Sequence, residues 1–71
     1  MTKKEKIQFI KELLWMLEQQ LEDMRWRLEY AKAGVVDGNI GLIMGGLSGI
    51  DASAKHVKNI YETIKYINAR Q

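Results

Sequence analysis

The sequence predicts an all-α fold: an antiparallel hairpin of two long heptad-patterned helices, dimerising into a four-helix bundle or a higher assembly. Two apolar rows predict it. Ile7, Ile10, Leu14, Leu17, Leu21, Met24, Leu28, Ala31 and Val35 follow a 3-4-3-4 spacing. Ile40, Ile43, Leu47, Ile50, Ala54, Val57, Tyr61, Ile64 and Asn68 repeat it after a glycine-containing break. Such a period keeps one side of a slightly underwound helix apolar over many turns, and that side needs a partner helix. The third observation is the absence of proline from all 71 residues, so nothing interrupts long helices.

Each element has its own signals. Thr2-Lys3-Lys4-Glu5 has the capping-box pattern, a hydroxyl for an early backbone N–H and a glutamate reaching back to the cap, so the first helix begins near Lys3. It runs to about residue 33, with Gly34 placed as the left-handed residue after its last turn. The connection covers residues 34–39 and offers Asp37 or Asn39 as cap for the second helix. A connection this short favours antiparallel neighbours. The second helix spans about residues 40–69. Gly41, Gly45, Gly46 and Gly49 each lower its propensity by about 1 kcal/mol relative to alanine, so a kink at Gly45-Gly46 is the alternative to one continuous helix.

Seam chemistry predicts self-association. Isoleucine or valine at 43, 50, 57 and 64, with Ile40 and Leu47 at the alternating positions, leans toward bundles above two strands. Phe9, Leu13, Met16 and Tyr30 widen the apolar band of the first helix beyond what one neighbour covers. A homo-oligomer, a dimer or higher, follows.

Composition bounds the function. The chain is one domain near the size at which a lone core is marginal. Its net charge of +2 provides no global basic field for nucleic acid. Without cysteine there is neither a disulfide scaffold nor a thiolate metal site, which fits a cytoplasmic location. Lys3, Lys4 and Lys6 precede a segment broken by Lys11, Glu12 and Glu18, so no secretion signal is expected. The weakly polar stretch from Ala33 to Ile50 is interrupted by Asp37 and Asn39, and a membrane span is not expected.

The faces turned away from the seams carry the candidate binding residues. On the first helix Trp15 and Trp26 lie eleven residues apart, which is three turns at nearly one azimuth and about 16 Å along the axis. Glu12, Glu22 and Glu29 frame them. Tryptophan is enriched at binding hot spots, so the pair reads as a contact line for a protein partner; packing along neighbouring aliphatic stems is the plainer alternative. On the second helix Gly41, Gly45 and Gly49 form a small-residue stripe at i, i+4, i+8 spacing, which would let another backbone approach closely. A frayed helix start is the plainer reading there. Charge is polarised too: a hairpin sets Lys3, Lys4, Lys6 and Lys11 beside Lys58, Lys65 and Arg70, with Glu18, Glu22, Asp23, Asp37 and Asp51 toward the loop. Pairs such as Asp23–Arg27, Asp51–Lys55 and Lys58–Glu62 have the spacing for ordinary support along a helix.

No catalytic constellation is legible. His56 stands alone, Asp37-Gly38-Asn39 lacks the rest of a calcium loop, and the glycines from 41 to 46 lack the lysine and serine of a phosphate loop. The expectation is a non-enzymatic protein with no cofactor or metal, binding and modulating or inhibiting a larger protein, as accessory factors of phages and mobile elements of this size do. The alternatives are an oligomer that sequesters a nucleotide or other anion through Lys55, Lys58 and Arg70, and a helical bundle that binds RNA or DNA.

Overall fold

The computed structural model describes residues 1–70 as two helices, α1 (Lys3–Asp37) and α2 (Ile40–Ala69), folded back on each other. Thr2 starts α1 through the expected capping box: its hydroxyl accepts from the Glu5 N–H at 3.1 Å, and its own N–H donates to Glu5 Oε1 at 3.2 Å. Asn39 starts α2, its side-chain oxygen accepting from the Leu42 N–H at 3.1 Å. The glycine-rich start of α2 is one helix with Gly45 and Gly46 inside it.

The first helix ends one turn later than the sequence suggests. Gly38, not Gly34, is left-handed, with φ 65°, and the connection shrinks from residues 34–39 to Gly38 and Asn39. The Asn39 N–H donates to the Gly34 carbonyl at 2.8 Å, the six-to-one bond of a Schellman cap. Gly34 is helical and buried because α2 crosses there: a Cβ on it would stand 2.8 Å from the backbone nitrogen of Ile43. Its glycine serves close approach, and the turn belongs to Gly38.

The seam itself is rotated. Half of each predicted row packs between the helices: Ile10, Leu17, Met24 and Ala31 on α1, and Ile43, Ile50, Val57 and Ile64 on α2. The other half is exposed, and its place is taken by the residue one position earlier. On α1 Lys6, Leu13, Gln20 and Gly34 take the places of Ile7, Leu14, Leu21 and Val35, and at Arg27, whose side chain is exposed, the backbone alone approaches α2. On α2 Gly46, Ser53, Ile60 and Ile67 stand in for Leu47, Ala54, Tyr61 and Asn68. Small residues explain the choice at the loop end. A Cβ on Gly46 would lie 2.6 Å from the Arg27 carbonyl oxygen and 3.1 Å from the Ala31 Cβ, so the backbones nearly touch. Toward the open end the buried cluster is Leu13, Ile60 and Ile67, with Ile10, Leu17 and Ile64 packed against it. Among the described residues no large side chain falls below 2% exposure.

Candidate interaction surfaces

Each helix presents three further surfaces once its seam is fixed. Asp23, Arg27 and Ser53 tie the hairpin together on one broad side. The Ser53 hydroxyl donates to Asp23 Oδ2 at 2.7 Å, and Arg27 Nε donates to the same oxygen at 2.9 Å. The Arg27 side chain lies over Gly49, where a Cβ would collide with it. These bonds hold the Asp23 carboxyl below the usual carboxylate range, the Ser53 hydroxyl contributing most and Arg27 next.

In an antiparallel pair the positions flanking the seam meet like with like, so the residues on Asp23's side of α1 adjoin those on Gly49's side of α2. The displaced rows therefore fall together on the opposite side. The α1 row is Ile7, Leu14, Leu21, Leu28 and Val35; the α2 row is Ile40, Leu47, Ala54, Tyr61 and Asn68. All ten are exposed and none is charged. Eight of the ten are large apolar residues left 44–70% exposed. The sequence spacing alone assigns these residues to the intramolecular seam; their repeat is legible there, and the rotation that exposes them is not.

The back of α1 carries the tryptophans. Trp15 and Trp26 are 63% and 64% exposed, so packing inside the hairpin leaves most of each indole uncovered. Around Trp26 a shallow hollow is lined by Glu18, Leu21, Glu22, Arg25 and Glu29. Of the carboxylates read from the sequence, Glu22 and Glu29 stand there, joined by Glu18, while Glu12 lies beside Gln8 and Phe9.

The glycine stripe is not one surface. Gly49 is covered by Arg27, Gly41 has only the cap oxygen of Asn39 near it, and Gly45 faces open space. The close approach that small residues permit occurs inside the hairpin, at Gly34 and Gly46. Lys55, Lys58 and Arg70 do not converge either. They occupy a stretch of α2 roughly 22 Å long at 1.5 Å per residue; Lys55 pairs with Asp51 at 3.6 Å, and Arg70 lies over the Tyr66 ring, 5.4 Å from its centroid. Glu62 pairs with Lys65 at 3.9 Å, not with Lys58. His56 is exposed.

No protein-family model, curated protein or solved structure matches this chain. Among the described residues, no helix is long and apolar enough to cross a membrane.

Proposed function

We propose that this protein is a non-enzymatic, self-associating helical module that binds a larger protein through the outer surface of α1 and modulates or inhibits it. The observation that carries the proposal is the exposure of Trp15 and Trp26 on the side of α1 opposite α2, with carboxylates around Trp26. An indole left two-thirds exposed offers a large, rigid contact area that gains free energy only when something covers it. The carboxylates direct that surface toward a partner with basic residues at its rim.

A photo-crosslinking residue at Gln19 tests the reading, with capture compared between the chain that keeps both indoles and one that also carries Trp15→Ala/Trp26→Ala. With the probe at the exposed Gln19, between the two indoles, the proposal requires a defined adduct in the otherwise native protein and its loss from the double variant while helicity and molar mass stay unchanged. A double variant that captures the same partners equally well contradicts it.

A further inference from the structure

Given the self-association proposed above, we infer that a second copy of this chain covers the apolar side of the hairpin. The two copies stack face to face with their loops at opposite ends, and the twofold axis passes near Leu21 and Ala54.

The hairpin is a single layer. Its Cα atoms span 54 × 15 × 8 Å, whereas a stable domain packs at least two layers around its interior. On α1 the seam leaves the more apolar row outside: Gln20 and the Arg27 backbone occupy seam positions while Leu21 and Leu28 face out. A hairpin shaped to stand alone would bury the leucines. One shaped as half of a four-helix bundle keeps them for the second layer, with the shared rows of Ile10 and Ile43 reaching toward the centre from both sides.

The available area fits a second copy. The eight large apolar residues of the two rows are about half exposed, and at roughly 100 Å² each they offer on the order of 800 Å², the share that each partner of a standard interface buries. That exceeds the largest apolar patch of a typical monomer, about 300–600 Å².

The pattern is also self-complementary about one point. Leu21 is the middle of the five-membered α1 row and Ala54 the middle of the α2 row. The Asp23–Ser53 bond and the approach of Gly34 to Ile43 set the hairpin register that brings these midpoints to nearly one level. A twofold axis there sets Leu14 against Leu28 of the second copy and Leu47 against its Tyr61. At the rim, three residues before and four after each midpoint, stand Glu18 and Arg25 on α1, and Asp51 and Lys58 on α2. Each carboxylate then faces a cation of the other copy, and the pairs occur twice by symmetry. Among the described residues Glu18, Arg25 and Lys58 have no ion pair, and Asp51 has only an exposed one with Lys55.

Polarity along the hairpin fixes the direction of stacking. The open end gathers Lys3, Lys4, Lys6, Lys65 and Arg70, and the loop half has the acidic excess. With loops at opposite ends, basic ends meet acidic halves; with loops together, four basic helix ends would crowd one another. Trp15 and Trp26 belong to neither covered row in either case, and the hollow at Trp26 shares Glu18, Leu21 and Arg25 with the covered face.

The chain has no native cysteine, so a single introduced thiol reports contact cleanly. Leu21→Cys and Ala54→Cys variants, checked for unchanged helicity, are oxidised mildly at micromolar concentration and run without reductant. Each variant alone should form a disulfide-linked dimer, because each position faces itself across the axis. If neither links alone, or only a mixture of the two does, the arrangement is overturned: the first result means that the face meets a different occupant, the second that the loops lie together. Capture through the tryptophans would survive either failure, so the two readings fall separately.

Discussion

Ser53 on α2 and Asp23 on α1 form the one side-chain hydrogen bond that crosses the hairpin among the described residues, hydroxyl to carboxylate at 2.7 Å. Asp23 holds its proton more weakly in the folded protein than in the unfolded chain. Its contribution to stability is therefore full above the ordinary carboxylate range and is lost as pH falls through its lowered folded value. Ser53→Ala should move the Asp23 carboxyl upward, toward but not up to its ordinary value, since Arg27 remains. A carboxyl-detected NMR titration of both proteins checks this, and an unchanged Asp23 midpoint would contradict the role given to Ser53.

Gly45 and Gly46 are neighbours with opposite expectations. Gly45 opens to space, so Gly45→Ala should stabilise α2 by up to about 1 kcal/mol through helix propensity alone. Gly46→Ala gains the same propensity but drives a Cβ against the Arg27 carbonyl, and forced separation of packed backbones costs about 1–3 kcal/mol. Urea denaturation at matched protein concentration should show the two midpoints moving apart, Gly45→Ala up and Gly46→Ala down.

The turn makes a third case. Asn39→Ala removes the oxygen that caps the Leu42 N–H and should cost about 1 kcal/mol. Gly38→Ala places a side chain at φ 65° and should cost roughly 1–2 kcal/mol. The helix content of each variant should stay near native below its transition, because the packing that sets α1 against α2 is untouched.

Leu13 and Leu14 mark how far the sequence could be read. The heptad period, the capping box at Thr2, the asparagine cap and the antiparallel hairpin were all legible, because each is a local pattern with a local physical cause. Which of two adjacent leucines faces α2 was not. The α1 band is wider than one helix, and the position of α2 across it is set by the close approach at Gly46 and by the two-residue turn. Leu13 is 8% exposed and Leu14 is 51% exposed. Gly34 was misread for a related reason: a glycine near a helix end serves equally as a left-handed cap or as a contact point, and only the path of α2 separates the two. At the candidate sites, the tryptophans stand outside as their spacing implied. The glycine stripe dissolved because Gly41, Gly45 and Gly49 drift around the helix onto different surroundings.

The same pair yields a graded expectation. Leu13→Ala should destabilise by about 2–3 kcal/mol at any protein concentration, since it empties the seam of a single hairpin. Leu14→Ala should act chiefly through association, so its effect on the melting temperature should depend on concentration. Melting curves recorded over a hundredfold dilution separate the two behaviours.

Molar mass by light scattering tests the central claim most directly, namely that this hairpin completes its interior with another copy of itself. The chain weighs 8.2 kDa. The account predicts twice that mass at micromolar concentration, falling toward one chain in a Leu21→Glu variant. A native protein that keeps the mass of one chain at millimolar concentration, with a sharp cooperative melt that dilution does not move, would contradict it.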